Sequence, residues 1–104
     1  MRVIISNRAK SAINDFYKEA LKRHEALDEI TVTKKVRRLY GGIRELRSFH
    51  SIYPKARYID EWIQKGYQDF TIEDFHIAYH LAKLESGETV VYVADACHSL
   101  LYHS

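Results

Sequence analysis

The sequence predicts an α+β domain in which an N-terminal strand and two helices precede a small, mainly antiparallel sheet, with both helices packed on one face of that sheet. Two changes of pattern give this prediction. In the first half, apolar residues recur at spacings of three and four, the period of a helix. After Pro54 they alternate with polar residues, the period of a strand. The chain has 104 residues, four Gly, one Pro and no linker-like tract, so one domain over residues 1–104 is expected.

The first elements are a short strand and a helix. The apolar run Val3–Ile5 predicts the strand. Ser6 or Asn7 follows it at a position that suits the N-cap of a helix. The helical period after this cap predicts that the first helix runs to about Ala26.

A second helix is predicted from Thr31, which is placed as its N-cap, and its apolar residues continue to Phe49. Gly41 and Gly42 interrupt it. Because each Gly in a helix interior costs about 1 kcal/mol relative to Ala, a break or kink is expected at this pair.

The second half is predicted to be a meander of three strands. Residues 67–73 and 75–82 each alternate, so each strand has one buried face. Residues 85–88, with Gly87, supply a turn. Residues 89–97 are apolar on both faces, as expected of a central strand.

Composition excludes several classes of protein. Cys97 is the only cysteine, so neither an intrachain disulfide nor a cysteine zinc knuckle is expected, and a reducing, cytoplasmic setting is favoured. His76 and His80 share a strand face without an evident third ligand, so neither a metal nor a cofactor is expected. The N-terminal apolar run of three residues is too short for a signal peptide or membrane anchor.

Charge is segregated along the chain. Residues 34–57 contain eight basic residues and one acidic residue, a net charge of +7, whereas the remaining eight basic and thirteen acidic residues give −5. A basic segment in a nearly neutral domain is typical of a polyanion-binding surface. It is equally typical of a solvated helix face or of one that docks an acidic partner.

The residues suited to chemistry lie late in the chain. Strand alternation places Asp74, His76 and His80 on the face opposite Phe75. Since neighbouring residues of a strand point to opposite faces, Cys97 and the adjacent His98 are not expected to form a nucleophile–base pair.

Two segments resemble a known family. YQDFTIEDFHIAYHL (residues 67–81) and ACHSLLY (residues 96–102) resemble the C-terminal half of RelE/ParE-superfamily toxins of bacterial type II toxin–antitoxin modules, and are most similar to the YafQ-type branch. The resemblance implies a RelE-like fold and an mRNA endoribonuclease that acts on the ribosome and is neutralised by a cognate antitoxin. The free protein is expected to be a monomer or weak dimer. No membrane contact is expected, because no run approaches the roughly 20 apolar residues that span a bilayer.

Site residues carry over by position. His98 matches the family's catalytic histidine, Asp74 its acidic residue, Phe75 the aromatic that follows and Tyr102 the terminal aromatic. The chain departs from the family at two positions. Thr71 stands where YafQ-like chains have a histidine, and His76 stands where other RelE-like chains have an arginine.

Metal-independent RNA cleavage requires an acid, a base and cations that stabilise the phosphorane. Histidine suits proton transfer because its ordinary pKa is about 6.5. The expected catalytic residues are His98, Asp74 and His76. The expected RNA or phosphate contacts are Lys55, Arg57, His80, Tyr102 and Phe75.

Several of these residues also fit structural roles. His98 fits a cap at the end of the last strand, Phe75 a core position, Tyr102 a terminal ring folded onto the core, and Trp62 a packing anchor. Two other functions stay open. One is a non-catalytic protein of this family that inhibits gyrase, as ParE does, or only binds its antitoxin. The other is a nucleic-acid-binding module that uses the basic second helix.

Overall fold

The computed structural model describes residues 1–24 and 26–102 and has the α+β architecture predicted above. Its elements in chain order are β1 (Val3–Ile5), α1 (Asn7–Arg23), α2 (Glu29–Arg44), α3 (Leu46–Phe49), α4 (Asp60–Gln64), β2 (Gln68–Ile72), β3 (Phe75–Lys83), β4 (Thr89–His98) and a 3₁₀ turn (Ser99–Leu101). Within these residues, no helix is long and apolar enough to cross a membrane.

The four strands form one sheet in the order β1-β4-β3-β2. Strands β2, β3 and β4 are antiparallel neighbours, as predicted, whereas β1 pairs with β4 in parallel. Strand β4 therefore lies between β1 and β3, which explains why it is apolar on both faces. Phe75 pairs with His98 and His76 pairs with Cys97, so the last two residues of β4 face opposite sides of the sheet.

Helices α1 and α2 cover one face of the sheet and form the main core with it. Their buried residues meet the large apolar residues of β3 and β4. The fully buried members include Ile13, Leu39 and Ile43 from the helices and Phe75, Ile77, Tyr79, Val91 and Val93 from the strands.

The other face of the sheet, called the open face below, is partly covered by α4. Trp62 of α4 is 1% exposed and packs with Ala56 against Ala78 of β3. Its indole Nε1 donates a hydrogen bond to Asp95 Oδ2 at 3.0 Å. The prediction that Trp62 is a packing anchor is confirmed.

Two predicted helix boundaries are wrong. Helix α1 ends at Arg23 rather than near Ala26, because the backbone of His24 is extended. The His24 N–H still donates a helical hydrogen bond to the Ala20 carbonyl. Glu25, within the predicted span, lies outside the described residues. Helix α2 is capped by Asp28, whose Oδ1 accepts from the Thr31 N–H at 2.7 Å, so Thr31 lies in the first turn.

The helix does not break at the glycine pair, because α2 continues to Arg44 and gives way to α3 at Glu45. The two glycines differ in their surroundings. A Cβ on Gly42 would overlap Ile72 Cδ1 of β2, so this Gly lets the helix approach the sheet. A Cβ on Gly41 would have nothing within 4 Å.

These surroundings predict opposite responses to alanine. Gly41→Ala should raise the free energy of unfolding by about 1 kcal/mol, the difference in helix propensity. Gly42→Ala should be less stable than Gly41→Ala by about 1 kcal/mol or more, because Ile72 must move. Urea unfolding of both variants measures the difference. Ile72→Val removes the overlapping methyl and should reduce the difference in stability between the two alanine variants. Equal stability of these variants in the wild-type background would contradict the assigned contact.

Candidate functional site

A groove on the open face gathers several of the residues singled out above. The segment before α4 runs beside β2, since the Ala56 N–H donates to the Tyr67 carbonyl and the Asp69 N–H donates to that of Pro54, both at 2.9 Å. After the 3₁₀ turn the chain returns Tyr102 to the same face. The resulting groove, called the His76 groove below, has a volume of about 270 Å³ and is lined by Pro54, Lys55, Arg57, Tyr58, Asp69, Thr71, His76 and Tyr102.

The centre of the groove is a histidine held by a carboxylate. His76 Nδ1 lies 3.1 Å from Asp69 Oδ1 and 3.3 Å from Oδ2, and Thr71 Oγ1 is 3.3 Å from the same nitrogen. On the adjacent strands β2 and β3, Thr71 pairs with His76 and Asp69 pairs with Ala78. The side chains of Asp69 and His76 are therefore diagonal neighbours. With Nδ1 engaged by the carboxylate, Nε2 is the nitrogen placed to exchange a proton.

Tyr102 closes one side of this pair. Its ring stacks on His76 with centroids 3.5 Å apart and an interplanar angle of 7°, and its hydroxyl donates to Asp69 Oδ2 at 2.5 Å. Burial, followed by this hydrogen bond, raises the pKa of Tyr102 above its ordinary value. The phenol therefore stays protonated at neutral pH. Tyr58 and Trp62 contact the ring from the sides, with centroids at 5.7 and 5.9 Å.

The groove is electrostatically suited to an anion. Lys55 and Arg57 lie on its wall, and both are exposed. Lys55 Nζ donates to the Gly66 carbonyl at 2.8 Å, which fixes the ammonium without neutralising it. Arg57 forms no ion pair with any other described residue. Against these two cations the groove has one carboxylate, Asp69, so its charge favours a phosphate.

His98 lies on the opposite, helix-covered face of the sheet. Its ring stacks on Phe16 at 3.8 Å and meets the edge of Phe75 at 5.1 Å. Its Nδ1 accepts a hydrogen bond from the Leu100 N–H at 3.1 Å, so His98 caps the 3₁₀ turn. Burial lowers the pKa of His98, although the nearby Asp74 carboxylate opposes this shift. The sheet therefore separates His98 from His76.

Asp74 and Phe75 are positioned with His98 rather than with the groove. Asp74 occupies the β2–β3 turn with φ of 66°, and its carbonyl accepts from the N–H and the hydroxyl of Ser99, both at 2.8 Å. Phe75 is fully buried in the main core. The expectation that Phe75 stacks on an RNA base is wrong, because no face of its ring is accessible.

His80 belongs to a different cluster. It lies on the open face four residues beyond His76 and outside the groove. Its ring stacks on Tyr67, with centroids 5.3 Å apart, and lies 5.5 Å from Tyr92. The structure thus brings together His76, Lys55, Arg57 and Tyr102 from the predicted set, and leaves His80 apart.

Asp69 and Tyr58 are groove residues that sequence reasoning missed. A signal for Asp69 was present, because a two-residue turn at Glu73 and Asp74 pairs Thr71 with His76 and brings Asp69 within diagonal reach. Tyr58 precedes α4 in chain without periodicity, so nothing in its spacing indicated a side chain in the groove. Across the described ranges, no three or more His, Cys, Asp or Glu residues are grouped to hold a metal ion.

Comparison with known proteins assigns no family to this chain. No protein-family model matches it, and no curated protein is significantly similar to it. The groove itself is the feature that indicates a function, because it combines a carboxylate-held histidine with two cationic residues and an aromatic ring.

Proposed function

We propose that this protein is a metal-independent endoribonuclease and that the His76 groove is its active site. The observation that carries the proposal is the His76–Asp69 pair in one groove with Lys55 and Arg57. A proton-transfer group and cations within reach of one phosphate are what RNA cleavage without metal requires.

The geometry suits an attack by the ribose 2′-oxygen on the adjacent phosphorus. His76 Nε2 accepts the proton of the 2′-hydroxyl, and Asp69 stabilises the imidazolium that forms. Lys55 and Arg57 stabilise the charge on the phosphorane. The bond from phosphorus to the 5′-oxygen then breaks, and this oxygen takes a proton from water. The hydroxide that remains accepts the proton of the imidazolium, which restores neutral His76. The products are a 2′,3′-cyclic phosphate and a 5′-hydroxyl end.

The aromatic rings of the groove suit an unpaired substrate. Tyr102 and Tyr58 lie at the wall beside the histidine. Stacking of a base on such a ring contributes about 1 to 3 kcal/mol in proteins that bind single strands. The substrate class is therefore single-stranded RNA.

The biological role that fits this activity is that of a toxin of a type II toxin–antitoxin module that cuts mRNA on the ribosome. The support for it is the resemblance of residues 67–81 and 96–102 to RelE/ParE toxins. Its active histidine is His76, at the position where RelE-like chains have arginine, rather than His98.

An antitoxin is the partner that this role requires. A second groove, of about 560 Å³, lies between α1 and the end of the described chain and is mostly apolar. Phe16 and Ala20 line it together with Leu100 and Leu101, which are 72% and 65% exposed. An amphipathic segment of an antitoxin would bury this surface. The same surface favours the second candidate function, in which the protein acts only by binding another protein.

The test is to add the protein to a purified translation mixture and to map the ends of the message. We expect new cuts within the translated frame that carry 2′,3′-cyclic phosphate and 5′-hydroxyl groups. A single 2′-deoxy residue at a cut position should abolish that cut, because it removes the attacking oxygen. Cuts with 3′-hydroxyl and 5′-phosphate ends would contradict the mechanism. If the message stays intact, the supercoiling of DNA in cells that express the protein is measured next, and a change in supercoiling would favour a gyrase inhibitor instead.

A further inference from the structure

Helix α2 carries a row of cations on the side that faces away from the core. Its buried residues are Val32, Leu39 and Ile43. The opposite side is formed by Lys34, Arg37, Arg38 and Arg44, all exposed and called the α2 basic stripe below. Among residues 1–24 and 26–102, Arg38 is the only member with an ion-pair partner, and its Nε lies 3.0 Å from Glu73 Oε1.

Gly41 lies in the middle of this stripe. Arg37 and Arg38 precede it by four and three residues, and Arg44 follows it by three, so the arginines surround it on the helix surface. Packing does not require glycine here, because a Cβ would have nothing within 4 Å. The residue weakens the helix and leaves bare backbone at the centre of the positive surface. Bare backbone allows a bulky anion to approach the helix closely.

We propose that the α2 basic stripe binds the phosphate backbone of double-helical RNA, with Gly41 at the point of closest approach. The stripe spans about 15 Å of a rigid helix, so it presents its cations at fixed spacings to a regular array of phosphates. Guanidinium groups match phosphate oxygens in pairs. No exposed residue of α2 is aromatic, and Tyr40 packs against the core. The helix therefore offers no free ring on which an unpaired base could stack, which favours a duplex over a single strand.

The position of the stripe separates it from the active site. Helix α2 lies on the covered face of the sheet, whereas the His76 groove lies on the open face. The two surfaces face opposite sides of the sheet. The stripe is therefore a second RNA contact, which holds a folded RNA while a single strand enters the groove. The choice of RNA over DNA rests on the proposed function.

The test is binding of a short RNA duplex, measured by fluorescence anisotropy at several salt concentrations. Arg37→Gln with Arg44→Gln should reduce the salt slope by about 2 and weaken binding about tenfold, because two phosphate contacts are lost. The matched control is Lys22→Gln with Arg23→Gln on α1, which removes the same charge from residues that pair with Glu19. This control should bind as the wild type does.

Gly41→Ala separates binding from stability. This variant should unfold at a higher urea concentration than the wild type and yet bind the duplex several-fold more weakly, because the methyl group blocks the close approach. Unchanged affinity in both stripe variants would overturn the proposal. Tighter binding of polyglutamate than of the duplex would also overturn it, as would stripe variants that lose affinity for single-stranded RNA at least as strongly as for the duplex. The His76→Ala variant tells the two proposals apart. It should bind the duplex as the wild type does, because His76 lies outside the stripe, and this result does not depend on whether the protein cleaves RNA.

Discussion

Replacement of His76 by alanine should slow RNA cleavage by a factor of about 10² to 10⁴, the usual contribution of a positioned acid–base group. The reason is that His76 is the histidine of the groove, held by Asp69 at 3.1 Å beside the two cations. Its removal leaves Lys55 and Arg57 to bind the phosphate, so the loss should appear in the cleavage step rather than in binding. Single-turnover cleavage of a message in a purified translation mixture measures it.

The chain offers a matched control for this result. His80→Ala removes the same side chain from the same strand and the same face, four residues further along and outside the groove. It should leave the cleavage rate within about twofold of the wild type. His98→Ala tests the histidine on the opposite, helix-covered face of the sheet. If His98→Ala abolishes cleavage in a folded protein while His76→Ala does not, the active site lies on the helix-covered face and the His76 groove is not catalytic.

Asp69 should act through His76 rather than on the substrate. Asp69→Asn keeps the shape of the side chain but removes the charge that stabilises the imidazolium. The loss of rate in the double variant with His76→Ala should then be no larger than in His76→Ala alone. Additive losses would instead indicate that Asp69 contributes to cleavage independently of the histidine.

The order of the strands and of the two long helices was predictable because the hydrophobic period changes along the chain in a simple way, whereas the short helix α4 was not predicted. The central position of β4 also followed from its two apolar faces. Local alternatives were harder to decide. Asp28 and Thr31 are both good N-cap residues, and only the hydrogen bond between the Asp28 carboxylate and the Thr31 N–H shows which of them caps α2. The sequence did not reveal why the glycine pair lies within a helix, since Gly42 is explained by its contact with Ile72, thirty residues away.

The site was predictable only where it depends on strand alternation. That alternation placed His76 on one face and set Cys97 opposite His98, both as found. The assembly of the groove depends on irregular chain. The segment that carries Lys55 and Arg57 crosses beside β2, and Tyr102 returns after a short turn. Neither of these two segments has a hydrophobic period that would predict its course. The sequence therefore indicated candidate residues without showing which of them contact one another in the groove.

Replacement of Trp62 by alanine should lower the free energy of unfolding by about 3 to 5 kcal/mol, the range for large-to-small changes of buried aromatic residues. Trp62 is 1% exposed and is the largest side chain between α4 and the sheet. Its loss leaves a cavity above Ala78 and removes the indole donor from Asp95, which retains its ion pair with Arg8 at 3.3 Å. Urea unfolding monitored by far-UV circular dichroism measures the change.

The same substitution should also reduce cleavage, because Trp62 supports the Tyr102 ring that stacks on His76. Ile63→Ala is the control, since this neighbour on α4 is 45% exposed and should change stability by no more than about 0.5 kcal/mol. Trp62→Phe restores most of the buried area without the indole N–H, so it should recover part of the stability. If Trp62→Ala destabilises the protein no more than Ile63→Ala, then α4 is not anchored to the sheet and cannot support the wall of the His76 groove.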